Sequence, residues 1–221
     1  MKKAVFFDMN ETLLNLSLLK VQFDKHFDDK YVLKYWFTKL LYSSTIMGIM
    51  DEYINFGELA DVALENLFLE NNKPLSSKIK AEILGEFRKL PAYEDVRPAL
   101  KMLRENNIRV IAVSNSSLAM MKEQLTSAGI IDLFDCYYSV DTVEKYKPFK
   151  DIYLSAAKQE GLKAEDIVMV ATHDWDLFGA KKAGLSTAYI KRKEEIYHPY
   201  YLQPDFKDSN LSDLIQQLID N

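Results

Sequence analysis

The chain has 221 residues, with 28 lysines and arginines against 33 aspartates and glutamates and a formal net charge of −5 at pH 7. This length allows one sizeable core, or one core with a smaller insert. The acidic balance without a basic stripe excludes nucleic acid as an expected partner, and no stretch is apolar enough to cross a membrane. A single cysteine excludes an internal disulfide, and the N-terminus lacks a signal-peptide pattern, so we expect a cytoplasmic protein.

Five short apolar runs have the length of buried strands. In chain order they are KAVFFD, RVIAVSN, CYYSV, IVMVAT and STAYI. The segments between the later runs have helical spacing and are closed by Gly129, Gly161 and Gly184, and glycine just past a helix is a stop signal. Apolar strands that alternate with helices predict an α/β fold, a Rossmann-like three-layer arrangement with a parallel sheet covered on both faces.

A long block of helical segments separates the first of these strands from the second. The segments are LSLLKVQFDKHF, KYVLKYWFTKLLYSSTIMG, NFGELADVALENLFLENN and SSKIKAEILGEFRKL. We expect a core formed by residues 1–14 and 91–221 and an inserted helical cap at residues 15–90. The alternative is a separate helical bundle with no role at the site. The segment from Tyr31 to Met50 could bury its apolar face against a second copy, so a homodimer is a further expectation.

Polar residues stand at the carboxyl ends of the predicted strands, where open parallel sheets bind their ligands. The first strand ends in Asp8, the second in Ser114 and Asn115, and the third is followed by Lys147. The fourth runs into Thr172, His173, Asp174 and Asp176. Singly, each has an ordinary explanation as a turn cap, a helix cap or a solvated turn residue. Together they indicate a catalytic site.

The residue types at these strand ends suit covalent catalysis by a carboxylate. Such a nucleophile needs a neighbouring cation for an anionic substrate, and hydroxyl or amide donors that fix its orientation. Asp8 is the predicted nucleophile and Lys147 the predicted cation. The predicted donors are Thr12, Ser114 and Asn115. Hydrolysis of the resulting ester needs a water held near a base, for which the candidates are His173, Asp174 and Asp176.

Several stretches, in this order along the chain, carry a family resemblance. They are FDMNETLL, the insert segment with Tyr35, Trp36 and YINF, then AVSNSS, SVDTVEKYKPFKDIY and VATHDWDLFGAKKAG. Together they resemble the haloacid dehalogenase superfamily, most closely its L-2-haloacid dehalogenase branch, over nearly the whole chain. The resemblance implies an aspartate that attacks substrate carbon and releases halide, followed by hydrolysis of the ester by water without a metal or other cofactor.

The resemblance also implies roles for individual residues. By matching position, Asp8 is the nucleophile. Its implied supporting residues are Thr12, Ser114, Lys147, Tyr153 and Asp176. Asn115 and Trp175 match positions that line the halide pocket. The implied substrate is a small organic acid, anionic at neutral pH.

The chain departs from the family's pattern at four positions. The family's arginine after the tryptophan that matches Trp36 is Phe37 here, and no arginine precedes Arg88. Lys34 or Lys39 would have to supply the missing charge. The other departures are Asn10 for a tyrosine, Ala171 for a serine and His173 for an asparagine. We assign the substrate-binding positions to Asn10, Phe37, Asn115, Tyr153 and Trp175.

Two alternatives remain open at this point, a Mg²⁺-dependent small-molecule phosphatase of the same superfamily and a non-catalytic binding protein. The phosphatases use an aspartate two residues after the nucleophile as general acid, and the amide of Asn10 cannot deliver a proton. Thr172 stands where the chief Mg²⁺ carboxylate belongs, so Asp8 and Asp176 are the metal candidates that remain. The leading hypothesis is a metal-independent hydrolase of a small organic acid, in which His173 positions or deprotonates the attacking water.

Overall fold

The computed structural model describes residues 2–221, which are built on one six-stranded sheet. The strands are β1 Ala4–Phe7, β2 Arg109–Ser114, β3 Cys136–Ser139, β4 Ile167–Ala171, β5 Ser186–Ile190 and β6 Phe206–Asp208. They lie in the order β3-β2-β1-β4-β5-β6, and every neighbouring pair is parallel. This arrangement confirms the predicted α/β fold with a parallel sheet.

Nine α-helices occur among the described residues. They are α1 Ser17–Asp24, α2 Val32–Ile49, α3 Phe56–Glu70, α4 Ser77–Phe87, α5 Val96–Glu105, α6 Leu118–Ser127, α7 Lys150–Gln159, α8 Asp174–Lys182 and α9 Leu211–Ile219. Gly129, Gly161 and Gly184, just past α6, α7 and α8, have φ angles of 68°, 67° and 93°. These are the glycines read as helix stops in the sequence. None of the helices between residues 2 and 221 is both long and apolar enough to cross a membrane.

Helices α1 to α4 pack around the buried side chain of Trp36. Its ring centroid lies 5.4 Å from that of Phe23 in α1 and 5.8 Å from that of Phe87 in α4. The indole Nε1 donates a hydrogen bond of 3.1 Å to the carbonyl of Ala60 in α3. One aromatic side chain of α2 therefore contacts the other three helices of this block. The boundaries of the cap, residues 15–90, stay a prediction.

Two elements of the structure were absent from the sequence prediction, β6 and α9. β6 is a three-residue edge strand that pairs with β5, and such a run is too short to give an alternating pattern. α9 buries Leu211, Leu214, Ile215 and Leu218 and packs against α5. Its apolar spacing is helical, so the sequence held a signal for it.

The site lies beyond the carboxyl end of β1, which pairs with β2 on one side and β4 on the other. All four residues of β1 are buried. The backbone N–H of Asp8 continues the ladder by donating to the carbonyl of Val170 at 3.0 Å. Strands β2 and β3 lie on one side of β1 and strands β4 to β6 lie on the other, and such a switch point in strand order forms a crevice for ligands.

A close approach between α8 and the segment after β3 helps to position Lys147. A Cβ atom on Gly179 would lie 2.3 Å from the carbonyl oxygen of Pro148 and 2.6 Å from its Cβ. Backbone at that distance cannot accommodate a methyl group without moving. Glycine therefore lets α8 pack directly against Pro148, the neighbour of Lys147.

We expect the substitution Gly179→Ala to lower the free energy of unfolding by about 1–3 kcal/mol, because the methyl group must displace Pro148. Urea denaturation measures this change. Gly85→Ala in α4 is the matched control, since no atom lies within 4 Å of its added Cβ, and it should stabilise the protein by roughly 0.5–1 kcal/mol. A Gly179→Ala variant as stable as the wild type would contradict this account of the contact.

Candidate active site

Asp8 is 6 % exposed, and each of its carboxylate oxygens has a hydrogen-bond partner. Oδ1 accepts from Lys147 Nζ at 2.8 Å, and Oδ2 accepts from Thr12 Oγ1 at 2.7 Å. His173 Nδ1 lies 3.0 Å from Oδ2. Burial alone would raise the pKa of Asp8, but Lys147 and His173 outweigh burial and hold the pKa well below its ordinary value. Asp8 is therefore an oriented, ionised carboxylate at neutral pH.

Lys147 lies between two carboxylates. Its ammonium donates to Asp176 Oδ2 at 2.6 Å as well as to Asp8, and all three side chains are buried. Burial alone would lower the pKa of Lys147, but the two carboxylates outweigh it and raise the pKa above the ordinary value. The Tyr153 hydroxyl donates to the other oxygen of Asp176. Lys147, Asp176 and Tyr153 thus form a buried chain of donors and acceptors that ends on Asp8.

His173, the residue before α8, bridges two carboxylates. Its Nδ1 faces Asp8, and its Nε2 lies 3.1 Å from Glu11 Oε2. Burial alone would lower the pKa of the imidazole, but hydrogen bonds and charge attraction from both carboxylates raise it to about 9. His173 is consequently an imidazolium at pH 7 while Asp8 is ionised. The base role predicted from the sequence is open to His173 only once Asp8 has lost its charge.

Two aromatic rings cover this imidazole. Its centroid lies 6.2 Å from the ring of Phe37 in α2 and 5.2 Å from the ring of Trp175 in α8, with interplanar angles of 31° in both pairs. These rings leave 12 % of the His173 side chain exposed. They limit the access of bulk water to its two ion pairs.

Ser114, Asn115 and Asn10 form hydrogen bonds with the loops around the site. Ser114 Oγ accepts from the backbone N–H of Ser116 at 3.1 Å, and Asn115 Oδ1 accepts from the backbone N–H of Lys147 at 2.8 Å. Asn10 Nδ2 is 3.4 Å from Ser116 Oγ. None of these three side chains has a hydrogen bond to Asp8 among the described residues. Asn115 fixes the segment that carries Lys147, and Ser114 and Asn10 fix the turn after β2.

A small cavity of about 20 Å³ lies beside Asp8. It is lined by Asp8, Asn10, Phe37, Leu41, Phe56, Ser114, Asn115, Lys147, His173 and Trp175. Phe37 and Leu41 come from α2 and Phe56 from α3, so the inserted helices supply part of its wall. This location brings most of the predicted catalytic and substrate-binding positions to one space. Three predicted residues lie outside the lining. Thr12 contacts Asp8 and Asp176 contacts Lys147. Tyr153, assigned to substrate binding from the sequence, contacts Asp176 instead.

A wider cavity of about 470 Å³ adjoins the small one. The two share Phe37, Leu41, His173 and Trp175 as lining residues. The wider cavity also has four lysines and three acidic residues in its wall. These are Lys20, Lys30, Lys34 and Lys193, with Glu11, Asp174 and Glu195. Its wall therefore carries charges of both signs.

The two lysines considered as replacements for the family's arginine lie elsewhere. Lys39 pairs with Glu70 at 3.3 Å on the exposed side of α2, and Lys34 faces the wider cavity. Phe37 places an apolar ring beside His173 instead of a charge. Within residues 2–221, the cationic groups in contact with Asp8 are Lys147 and His173.

Two residues of the site were missed in the sequence, Glu11 and Lys193. Glu11 contacts His173, and Lys193 donates to the other oxygen of Glu11. Lys193 follows β5, so the rule that ligand-binding residues follow strands would have found it if applied to the fifth strand. Glu11 lies within the first motif, but its contact with His173 depends on a backbone conformation that the sequence pattern does not reveal.

The donor set does not fit Mg²⁺, which the phosphatase alternative requires. The metal candidates are Asp8 and Asp176, and all four of their carboxylate oxygens already face protein donors. The ammonium of Lys147 lies between them, where a shared cation would have to bind. No group of three or more His, Cys, Asp or Glu side chains able to hold a metal ion occurs among residues 2–221.

The profile of the haloacid dehalogenase-like hydrolases matches residues 2–184. The chain belongs to this family. It is 27 % identical over 210 residues to haloacetate dehalogenase H-2 of Moraxella sp. (strain B), covering 93 % of this chain and 94 % of that protein. It is 24 % identical over 216 residues to an (S)-2-haloacid dehalogenase of Pseudomonas sp. (strain YL), covering 97 % and 93 %.

A solved L-2-haloacid dehalogenase has the same fold, with a TM-score of 0.94 and 26 % sequence identity over 100 % of this chain and 99 % of that one. These comparisons confirm the resemblance found in the motifs. They also confirm that this haloacid dehalogenase-like chain is a hydrolase.

We expect Lys147→Met to lower the free energy of unfolding at pH 7 by about 3–5 kcal/mol, because it leaves two buried carboxylates without their cation. Urea denaturation measures the loss. Lys191→Met is the control, since its partner Glu194 is largely exposed, and it should change stability by less than about 1 kcal/mol. A small effect of Lys147→Met would show that the buried pairs are not held as described.

The raised pKa of His173 predicts a pH dependence of stability. A group whose pKa rises from 6.5 to about 9 on folding stabilises the fold fully below pH 6.5, and this contribution is lost as pH rises through 9. The stability difference between wild type and His173→Gln should therefore be about 2–3 kcal/mol larger at pH 6 than at pH 9.5. His198→Gln, which alters an exposed imidazole, should keep the wild-type dependence. A difference that does not vary with pH would contradict the ion pairs of His173.

Proposed function

We propose that this hydrolase displaces a leaving group, a halide in the simplest case, from a carbon atom of a small anionic organic acid. The observation that carries the proposal is the buried carboxylate of Asp8, held ionised and oriented by Lys147, Thr12 and His173. A desolvated carboxylate beside fixed donors is a suitable nucleophile, because it keeps its charge and loses little freedom on reaction. The relatives named as dehalogenases support the same chemistry.

In the first step an oxygen of Asp8 attacks the substrate carbon. The new C–O bond forms as the carbon–halogen bond breaks, and the halide leaves with the bonding electron pair. Asp8 becomes a neutral ester. Lys147 and His173 are the positive charges available to hold the anionic substrate and the departing halide. The resemblance gives this role to an arginine that this chain lacks.

In the second step water attacks the ester carbonyl carbon of Asp8. Esterification removes the negative charge that His173 faces through Nδ1, so the pKa of the imidazole falls and its proton passes to solvent. The neutral imidazole then takes a proton from the attacking water. Collapse of the tetrahedral intermediate breaks the bond between the Asp8 carbonyl carbon and the substrate oxygen. This oxygen takes up the remaining proton of the former water as the hydroxy acid leaves, so Asp8 is again ionised and His173 again an imidazolium.

The two cavities constrain the substrate. The space of about 20 Å³ beside Asp8 has room for one water-sized group, while about 470 Å³ is within the range of small-molecule sites. The reacting carbon would therefore enter past Phe37 and Trp175 while the rest of the acid stays in the wider cavity. Lys30 and Lys34 in its wall offer positive charge to an anionic group there.

The experiment is halide release from a panel of 2-halo acids of increasing chain length, run with and without EDTA. We expect release that survives EDTA and falls to background in Asp8→Asn, because an amide is not a nucleophile of this kind. Asp166→Asn, which changes a surface carboxylate at the amino end of β4, is the matched control and should retain release. Release that disappears with EDTA would support the phosphatase-like use of a metal, and no release from any member would reject dehalogenation of that panel.

A further inference from the structure

Glu11 has a backbone conformation that normally favours glycine. Its φ angle is 62°, in the left-handed region, and it lies in the turn between Asp8 and Thr12. Residues with a Cβ atom adopt this conformation at a steric cost, and glutamate lacks the local hydrogen bonding that eases it for asparagine and aspartate. A strained residue next to a nucleophile suggests that its side chain has a function.

The Glu11 side chain has two cationic partners. Oε2 lies 3.1 Å from His173 Nε2, and Oε1 accepts from Lys193. The Glu11 side chain is 11 % exposed, so its contact with His173 is shielded from solvent. Burial alone would raise the pKa of Glu11, but His173 and Lys193 outweigh burial and lower it. Glu11 is therefore a fixed negative charge behind the imidazole.

We propose that Glu11 is a positioning residue for His173. It holds the ring with Nδ1 directed at Asp8 Oδ2, and it stabilises the imidazolium that forms when water is deprotonated during hydrolysis of the ester. The proposal rests on the proposed function, because it assigns a role within the same reaction. The three side chains are linked in the order Asp8, His173, Glu11, so the imidazole has one carboxylate at each nitrogen.

The two carboxylates have different fates during turnover. Asp8 loses its charge when the ester forms, whereas Glu11 keeps its charge throughout. Glu11 is then the one carboxylate still bonded to His173 among the described residues, and it fixes which nitrogen faces the ester and the incoming water. When His173 takes the proton from water, the positive charge forms 3.1 Å from Glu11.

The other charged groups near His173 have partners elsewhere or line the wider cavity. Lys147 lies behind Asp8, and Lys193 lies behind Glu11. Asp174 and Asp176 belong to the helix that His173 precedes, where Asp176 is paired with Lys147 and Asp174 accepts from the backbone N–H of His198. From α2, His173 faces the uncharged ring of Phe37, while Lys34 and Glu195 line the wider cavity beyond.

The first test does not depend on turnover. NMR titration of the imidazole of His173, assigned with His173→Gln, is compared between the wild type and Glu11→Gln. We expect the titration midpoint to fall by at least about one pH unit in Glu11→Gln, because an opposite charge in contact is lost while the backbone and side-chain shape are kept. Glu144→Gln is the matched control, since Glu144 also has a positive φ, 51°, and is exposed, and it should leave the midpoint unchanged. An unchanged midpoint in Glu11→Gln would overturn the proposal.

The second test separates the two chemical steps with a 2-halo acid that the wild type turns over. Glu11→Gln and Glu11→Gly should still give a burst of halide, while hydrolysis of the Asp8 ester slows by roughly 10-fold to 10²-fold and the ester accumulates in intact-protein mass spectra. The pH at which ester hydrolysis is half-maximal should also shift downward in Glu11→Gln.

A merely structural role gives a different pattern. Glu11→Gly relieves the left-handed backbone, so it should then hydrolyse the ester at the wild-type rate, as should Glu11→Gln, and this result would overturn the role in hydrolysis. Absence of halide release from the wild type itself would count against the proposed function instead. The NMR titration would still decide whether Glu11 sets the protonation state of His173.

Discussion

The ammonium of Lys147, buried between the carboxylates of Asp8 and Asp176, is the interaction on which the site depends. Removing such charges from water is costly unless each finds a partner with good geometry. The fold meets this requirement by bringing together the segments after β1, β3 and β4, and the contact of Gly179 with Pro148 fixes one of them. Because every oxygen of the two carboxylates faces a protein donor, Asp8 is held ionised by its own neighbours.

The two most informative departures from the family's pattern are neighbours in space. Phe37 stands in place of the arginine and His173 in place of an asparagine, and their rings are 6.2 Å apart. The resemblance implies an arginine where α2 carries Phe37, and the positive charge beside that ring in this chain is the imidazolium of His173, held charged by Asp8 and Glu11. The aromatic ring of Phe37 therefore covers a cation in this chain.

Much of this arrangement could be predicted from the sequence. The five longer strands follow from apolar runs, and Asp8, Lys147 and Asp176 follow from the rule that polar residues at strand ends converge. The charge state of His173 could not be predicted, because it depends on two carboxylates whose positions relative to the ring are set by tertiary structure. Glu11 was missed because its contact requires a positive φ, which glutamate rarely adopts. The sizes of the two cavities depend on how α2 packs over the sheet.

Isotope incorporation during turnover in H₂¹⁸O shows whether Asp8 forms a covalent ester that water attacks at its carbonyl. After many turnovers of a 2-halo acid, the peptide that contains Asp8 is isolated and its mass is measured. If the ester forms, ¹⁸O appears in the Asp8 carboxylate, and under single-turnover conditions the product carries unlabelled oxygen taken from Asp8. Label found in the product of a single turnover, with none in Asp8, would show that water attacks the substrate directly and would contradict the account.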